Sequence, residues 1–310
     1  MNILITGGTG LIGTALLPVL YDTANRITIL SRTVEGRSPH YLNVEYVHWD
    51  AKTAAGWGKV VNQADVVLNL AGENLAGKGF FPARWTEERK TSIIKSRIDA
   101  GKALNAAILS ARKKPALLIQ ASAVGYYPTH RDDRGIAEGS PGGEDFLSRV
   151  AAAWEESTSA VESHGIRRAV IRIGMVLSNQ GGALPRMLLP YRLYLGGPFG
   201  SGQQWYSWVH IEDVCRAIRY LIELPDAAGV YNLTAPNPVK NKTFSRILGQ
   251  VISKPSYLPV PAFFFRLAFG EVADVVLKGQ RVLPERLLES GFQFSFPALD
   301  SALQDLTESR

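Results

Sequence analysis

Short runs of aliphatic and β-branched residues alternate with longer amphipathic stretches through the first 180 residues of the chain. Helical patterns follow the first run and extend over about residues 85–111 and 144–164. Strands that alternate with helices are typical of a parallel sheet covered by helices on both faces. The pattern therefore predicts an α/β fold with a doubly wound parallel sheet, whose strands lie at residues 3–6, 26–32, 44–50, 64–74, 115–123 and 167–177.

A glycine-rich turn joins the first predicted strand to the first predicted helix. Its glycines are Gly7, Gly10 and Gly13. Glycine lets the backbone approach a diphosphate closely, and the free N–H groups and dipole of the following helix attract negative charge. A plain tight turn is the alternative, but the strand–turn–helix context favours a dinucleotide site. We expect the diphosphate to contact these glycines together with Thr9, Leu11 and Ile12.

The ends of the next strands carry further candidate cofactor residues. An acidic residue after the second strand would select NAD, but the chain has Ser31 and Arg32 there. Arginine pairs well with a phosphate, so we expect NADP(H); the alternative is a solvated arginine at the strand end. Asp50 after the third strand is expected near the adenine. After the fourth strand we expect contacts from Asn69, Ala71 and Gly72.

Several longer motifs resemble a known protein family. They are TGGTGLIG, LAGEN, SAVGYY, RIGMVLS, GGPFGSGQQWYSWVHIEDV, GVYNLTAPNPV and GQRVLPERLLESGFQFSFPAL, spread over about residues 1–305. Together they resemble the extended short-chain dehydrogenase/reductases, and more closely their atypical, sugar-nucleotide-epimerase-like (YfcH-like) subgroup. The resemblance implies an NADP(H)-binding Rossmann domain over residues 1–175, completed by parts of residues 205–235. A C-terminal α/β substrate lobe is then expected over mainly residues 176–310.

The resemblance also implies a serine, a tyrosine and a lysine four residues after that tyrosine. Ser122 matches the serine, and Tyr126 matches a tyrosine that borders the substrate. The helix expected to carry the tyrosine and lysine contains neither, and no lysine occurs between Lys114 and Lys240. The usual proton relay is therefore absent in its standard form. We expect Ser122 and Tyr126 to act as catalytic residues in its place.

Other residues are weaker substitutes for that relay. Tyr127 offers a second phenol beside the substrate, and Arg131 follows it by four residues across a probable turn. Glu138, Glu144 and His210 are candidate bases. A structural reading stays open for each: Ser122 is as compatible with hydrogen bonding near the nicotinamide amide, and His210 is better placed to cap the helix that follows it.

The substrate side is expected to be aromatic and basic. Its candidate contacts are Tyr127, Arg186, Trp205, Trp208 and Arg281, with Arg192, Tyr206 and Gln280 nearby. Trp208 is equally compatible with a core position. On the long helix, Trp85, Lys90, Lys95 and Arg97 border the same cleft, and Lys95 and Arg97 cannot face the same way on a helix. We choose Arg97, and Gly174 at the end of the sixth strand, as further cofactor contacts.

Composition narrows the function classes. The chain has 34 basic and 28 acidic residues and a single cysteine, Cys215. A net charge of +6 without a basic block does not indicate nucleic acid, and one cysteine allows no internal disulfide, which fits a reducing compartment. We find no signal peptide, no membrane span and no metal-ligand spacing, and we expect a cytoplasmic monomer or homodimer with a small-molecule substrate. The apolar stretch at 261–270 is expected to pack in a core or at an interface.

Two function classes stay open on the sequence. The first is an NADP(H)-dependent oxidoreductase or epimerase that acts on a small polar, nucleotide-linked or free substrate. The second is a catalytically degenerate protein that senses NADPH and binds a partner. The polar and aromatic residues around the cleft favour the enzyme, whereas the missing lysine favours the sensor.

Overall fold

Seven parallel strands form the central sheet of the computed structural model, which describes residues 1–22, 24, 26–37, 41–77, 79–129 and 132–308. These seven strands are β1 (Asn2–Thr6), β2 (Arg26–Ser31), β3 (Val44–His48), β4 (Val66–Asn69), β5 (Leu117–Ala123), β7 (Arg167–Ile173) and β11 (Gly229–Leu233). Shorter strands outside the central sheet are β6 (Gly135–Ile136), β8 (Met175–Leu177), β9 (Trp205–Tyr206), β10 (Trp208–His210), β12 (Val239–Lys240) and β13 (Arg281–Val282).

The helices are α1 (Leu11–Tyr21), α2 (Glu87–Ser110), α3 (Phe146–Glu156), α4 (Leu184–Arg192), α5 (Ile211–Glu223), α6 (Asn241–Val251), α7 (Ala262–Phe269), α8 (Asp274–Leu277), α9 (Glu285–Glu289) and α10 (Leu299–Glu308). Short 3₁₀ helices lie at Gly58–Gln63, Val124–Tyr126, Ser159–His164 and Gly270–Ala273.

The strand order across the central sheet is β3-β2-β1-β4-β5-β7-β11, and each neighbouring pair is parallel. The chain winds outward from β1 to β3 and then returns to the middle, so the order reverses between β1 and β4. Ligands of such sheets bind beyond the carboxyl ends of the strands at this reversal. The doubly wound sheet predicted from the sequence is therefore confirmed, and it locates a crevice.

Helices cover both faces of the sheet. Along β1, Ile3 and Ile5 belong to one apolar cluster and Leu4 belongs to another, because successive strand residues point to opposite faces. Helices α1 and α5 pack on the first face, whereas α2 packs on the second. Burial on both faces explains why the strands read as continuous apolar runs.

Two expected elements differ from the structure. The helix expected over 144–164 ends at Glu156 and is followed by the 3₁₀ helix Ser159–His164. The sixth predicted strand breaks at Gly174 into β7 and β8, because Gly174 packs against the carbonyl of Ser207, 2.3 Å from where a Cβ would lie. Residues 229–233, within the stretch 205–235 that was expected to contribute to the core sheet, supply its seventh strand, β11.

The C-terminal part of the chain forms a third apolar cluster among α4, α6 and α10. Three two-stranded ladders connect it to the rest: β8–β10, β9–β12 and β6–β13. The apolar stretch at 261–270, expected in a core or at an interface, forms α7: Phe265 packs against the third cluster, whereas Phe263, Phe264 and Leu267 are exposed, so a core position does not hold for these three. The division of domains at residue 175 stays a prediction. Within the described ranges no helix combines the length and apolarity needed to cross a bilayer.

Candidate cofactor and substrate site

An outer cavity of about 630 Å³ lies beyond the carboxyl ends of β1, β2, β3 and β4. It begins at the glycine turn and extends to the loops after β2 and β3. The residues that line it are Gly7, Thr9, Gly10, Leu30, Ser31, Arg32, Thr33, Arg37, Trp49, Asp50, Ala51, Lys52, Leu70, Ala71, Gly72, Glu73, Ser92, Lys95, Ser96 and Asp99. Eight of the predicted cofactor residues of the first four strand ends line this cavity: Gly7, Thr9, Gly10, Ser31, Arg32, Asp50, Ala71 and Gly72. Leu11, Ile12, Gly13 and Asn69 are not among the described residues of its lining.

The glycine turn is packed so tightly that no residue with a side chain fits at its first and last glycines, Gly7 and Gly13. Gly7 has a φ of +69°, and a Cβ on it would lie 2.5 Å from the Leu70 carbonyl oxygen. A Cβ on Gly13 would lie 2.5 Å from the carbonyl oxygen of Gly7. Helix α1 begins after Gly10 with no side-chain cap, so the N–H groups of its first turn, which includes Leu11 and Ile12, are available to an anion.

The far end of the outer cavity is basic. Arg32 is exposed and, among the residues that the structure describes, has no ion-pair partner. Arg37 reaches the same cavity and donates from Nε to the Thr33 carbonyl at 2.8 Å. The Ser31 hydroxyl is buried and donates to the same carbonyl at 2.8 Å. Sequence reasoning missed Arg37 and Lys52, although both follow predicted strand ends by only a few residues.

Asp50 is held as an anion at the end of β3. Its Oδ1 accepts hydrogen bonds from the backbone N–H groups of Lys52 and Thr53, each at 2.8 Å. These bonds, first among them that of Thr53, lower the pKa of Asp50 to about 2. A fixed acceptor therefore faces the basic end of the outer cavity.

Asn69 lies in the sheet rather than in the cavity wall. It is the register partner of Thr6 on β1 and of Gln120 on β5. The Thr6 hydroxyl donates to Asn69 Oδ1 at 2.7 Å, and Asn69 Nδ2 donates to Gln120 Oε1 at 2.8 Å. Because both ends of its side chain are occupied and it is fully buried, Asn69 tightens the sheet below Ala71 and Gly72.

An inner pocket of about 280 Å³ lies beyond β5 and β7, between α3 and residues 274–280 of the C-terminal part of the chain. Most of its walls are apolar, formed by Leu75, Ala123, Val124, Leu147, Val150, Ala151, Trp154, Ile173, Met175, Ala183, Val275 and Val276. Its polar and charged residues are Arg97, Tyr127, Thr129, Asp145, Trp205, Tyr206, Ser207, Asp274, Lys278 and Gln280. Gly174, the predicted contact after β7, lines this pocket.

Helix α3 presents an apolar face to the inner pocket. Leu147 and Ala151 are four residues apart and both line the pocket, as do Val150 and Trp154. Residues at i and i+4 share a helix face, so a tyrosine and a lysine at this spacing would have projected here. Positions with the spacing of the usual relay are therefore present on α3 but hold apolar side chains without a hydroxyl or an amine.

Ser122 belongs to a buried ion-pair network. Its register partner on β7 is Arg172, whose own partner on β11 is Asn232. The Ser122 hydroxyl donates to Glu155 Oε1 at 2.6 Å, and Arg172 binds both carboxylate oxygens of Glu155 at 2.8 and 2.9 Å. Burial alone would lower the pKa of Arg172, but the hydrogen bonds that Arg172 donates to Glu155 and the charge of this carboxylate outweigh burial and raise the pKa. This network holds Ser122 in place.

The two tyrosines after β5 join the same network. The Arg172 guanidinium lies 3.4 Å from the centroid of the Tyr126 ring. Tyr127 donates its hydroxyl to Asn232 Oδ1 at 2.7 Å and accepts a bond from Arg172 at 2.9 Å, and burial raises its pKa. Neither Ser122 nor Tyr126 is among the described residues that line the inner pocket, so their catalytic role stays a prediction.

The predicted substrate residues separate into two groups. Tyr127 and Trp205 line the inner pocket, together with Gln280, which donates to the Val124 carbonyl at 2.5 Å. Trp208 is fully buried in the third cluster and donates to the Asn237 carbonyl, which supports its core alternative.

The predicted substrate arginines lie outside the inner pocket. Arg186 donates to the Gly79 carbonyl at 2.8 Å, Arg281 donates to the Asp133 carbonyl at 3.1 Å, and Arg192 is exposed. None of the three is among the described residues of its lining.

The remaining candidates have structural partners. His210 accepts a bond from the Glu212 N–H and caps α5, as its structural alternative predicts. Glu138 is buried, and desolvation raises its pKa although its Oε1 accepts bonds from the N–H groups of Asn232 and Arg286. Glu144 is exposed, and Arg131 lies outside the described residues.

The four candidates on and before α2 face different ways. Trp85 donates to the Leu75 carbonyl, and Lys90 pairs with Glu271 at 2.8 Å. Lys95 lines the outer cavity, whereas Arg97 lines the inner pocket. The expectation that Lys95 and Arg97 point apart agrees with this arrangement.

Known families and relatives match this chain over its full length. The model of the NAD dependent epimerase/dehydratase family matches residues 3–234, and a domain of unknown function, DUF1731, matches residues 260–306. The epimerase family protein YfhF of Bacillus subtilis is 41% identical over 310 residues, which cover 100% of this chain and 99% of that protein.

Two solved structures are similar. The human epimerase family protein SDR39U1 (isoform 2), solved with NADPH, has a TM-score of 0.90 and 34% identity, with 100% of both chains covered. The nucleoside-diphosphate sugar epimerase of Corynebacterium glutamicum has a TM-score of 0.76 and 29% identity, covering 99% of this chain and 58% of that chain. These matches confirm the predicted fold class and the resemblance that the motifs indicate.

Proposed function

Because the chain belongs to the NAD dependent epimerase/dehydratase family, we propose that it binds NADP(H) along the outer cavity and exchanges hydride with a small molecule in the inner pocket. The observation that carries this proposal is the meeting of the two cavities. Gly72 lines the outer cavity, and a Cβ on it would lie 3.1 Å from the guanidinium carbon of Arg97, which lines the inner pocket. A dinucleotide and its reaction partner therefore have adjoining places.

The residues of the outer cavity suit the diphosphate and the 2′-phosphate of an NADP(H) molecule. The backbone of Gly7 and Gly10 and the first turn of α1 would hold the diphosphate. Arg32 and Arg37 would hold the 2′-phosphate. NAD(H) lacks this phosphate, so it could not form these two ion pairs. The NADPH in the human relative supports the same choice.

The chemistry required of the chain is limited. When bound, NADPH supplies hydride to an acceptor carbon, and the carbonyl oxygen of that acceptor then takes one proton to become a hydroxyl. The buried phenols around the inner pocket are engaged: Tyr127 donates to Asn232, and Tyr206 donates to the Val276 carbonyl. Water therefore supplies the proton in this proposal, unless Ser122 or Tyr126 leaves the network around Glu155 during turnover.

A second function is favoured by the same engaged hydroxyls. A protein that only senses NADPH needs the outer cavity but no free acid beside it. The inner pocket would then accept no substrate that turns over, and its closure would report cofactor occupancy to a partner.

Turnover measurements separate the two functions. We expect oxidation of NADPH with some members of a panel of small aldehydes and ketones, and loss of that turnover in Leu147→Trp, whose indole would fill the inner pocket. The same variant should keep its affinity for NADPH, because Leu147 is not among the described residues of the outer cavity. Leu193→Trp, at an exposed position, is the matched control. Tight NADPH binding without turnover on the whole panel would favour the sensor.

A further inference from the structure

Arg97 is a buried guanidinium that faces a pocket without an ionic partner. Its side chain is 8% exposed, and Nη1 donates to the Ile93 carbonyl of its own helix at 3.0 Å. The structure contains no ion pair to this arginine among the residues it describes. A buried charge is costly unless it is paired, so a site of this kind is completed by an anion.

The carboxylate of Glu73 does not complete the site. Glu73 acts on Arg97 electrostatically, but its carboxylate already binds Arg89 at 2.9 Å and the Ser92 hydroxyl. Burial lowers the pKa of Arg97 to about 10, which still leaves the group charged at neutral pH. The positive charge therefore remains available to a ligand.

The other charged residues of the inner pocket are occupied. Asp145 accepts a bond from the Ser148 N–H and caps α3, and Asp274 pairs with Lys278 at 2.9 Å. The Arg97 guanidinium carbon lies 4.8 Å from the centroid of the Trp154 ring, which belongs to an apolar wall that continues through Val150. A ligand would meet one cation and mostly hydrocarbon.

From this geometry we propose that the inner pocket takes a small apolar carboxylate, of the size of a single ring, whose carboxylate binds Arg97. Guanidinium and carboxylate form two parallel hydrogen bonds, which suits a fixed, planar partner. A pocket of about 280 Å³ with few free donors does not suit a nucleotide-linked sugar. The proposal rests on the proposed function, since it names the substrate class of the same pocket, and it moves Arg97 from the cofactor to the substrate.

Benzoate and benzamide are suitable probes, because they share a ring and differ in charge. Binding of each to the NADPH-loaded and the cofactor-free protein is measured by calorimetry, for the wild type, Arg97→Met and Arg97→Lys. Lys102→Met is the control, since Lys102 is exposed on the same helix. NADPH is titrated into every variant, so that a failure of cofactor binding is recorded separately from a failure of carboxylate binding.

The expected result is benzoate binding at least about tenfold tighter than benzamide binding, lost in Arg97→Met, partly kept in Arg97→Lys and unchanged in Lys102→Met. NADPH affinity should stay the same in Arg97→Met. The proposal is overturned by equal binding of the two probes, by binding of neither, or by a parallel loss of NADPH affinity in Arg97→Met. Should Arg97→Met not fold, the comparison of probes on the wild type and on Arg97→Lys decides.

Discussion

The hydroxyl groups at the end of β5 are organised by a buried ion pair. The Arg172 side chain is 5% exposed and that of Glu155 is 13% exposed, and Ser122, Tyr126 and Tyr127 gather around them. The pair connects α3 to β7, the strand next to the sheet edge, so its first effect is on the stability of the protein. Any use of Ser122 in catalysis depends on how firmly Glu155 holds it.

Glu155→Gln is therefore expected to destabilise the protein by about 3–5 kcal/mol, because it leaves the buried Arg172 charge uncompensated. Ser122→Ala removes a single hydrogen bond and should cost only about 1 kcal/mol. Urea unfolding of both variants measures the difference. Equal, small losses would mean that the pair is not buried as described.

The choice of NADP(H) over NAD(H) depends on Arg32. Arg32→Ala should weaken NADPH binding by about 1–3 kcal/mol and leave NADH binding unchanged, since only NADPH carries the 2′-phosphate. Equilibrium titration with both cofactors measures this, with Arg219→Ala on α5 as a control, because Arg219 is not among the described residues of the outer cavity. An unchanged NADPH affinity would assign the phosphate elsewhere, with Arg37 the next residue to replace.

Among the single elements, α5 is the one whose stability we expect to depend on pH, because its N-cap is His210, the last residue of β10. Its neutral Nδ1 accepts the Glu212 N–H, while its ring stacks on Phe296 at 3.9 Å. Burial lowers the pKa of His210, and the nearby Asp305 and Asp213 oppose this only in part. His210 therefore takes up a proton less readily in the folded protein than in the unfolded chain.

The sign of the effect follows from that difference. The stability gained from neutral His210 is complete above the unfolded pKa of about 6.5 and is lost as pH falls towards the lowered folded pKa. His210→Asn keeps an acceptor at the cap, so its free energy of unfolding should fall less between pH 7 and 5 than that of the wild type. Denaturant titrations across this range test it, with exposed His164→Asn as the control. Parallel pH profiles for wild type and His210→Asn would contradict it.

The elements themselves were largely predictable from the sequence, because most apolar runs are strands buried on both faces; the edge strand β3 is only partly buried. Helix α2 begins at Glu87 and ends at Ser110, close to the expected 85–111, with Thr86 as its cap. The break at Gly174 was not readable, since it depends on the distant Ser207 carbonyl. The sequence shows directly that α3 contains no tyrosine and no lysine. Only the structure shows which residues of α3 face the inner pocket, because this depends on the rotation of the helix about its axis.

At the scale of the whole molecule, the crevice at the strand-order reversal could be inferred from sequence, whereas the partners of its side chains could not. Ser122, Arg172 and Asn232 meet because three strands place them in register, across more than 100 residues of chain. Such long-range pairing decides whether a hydroxyl is free or engaged. Contacts with residues distant in sequence also determine the positions of three other candidates. Asn69 bonds to Gln120 within the sheet, and Arg186 and Arg281 bond to the carbonyls of Gly79 and Asp133 outside the inner pocket.

One NADP(H) molecule is proposed to lie along the outer cavity and to reach the inner pocket with its nicotinamide. A crystal structure of the protein grown with NADPH would show this binding mode. We expect the diphosphate on the backbone of Gly7–Gly13, the 2′-phosphate beside Arg32 and Arg37, and the nicotinamide next to Gly174. Density for NADPH elsewhere, or the opposite orientation with the nicotinamide at Arg32, would rule out this binding mode.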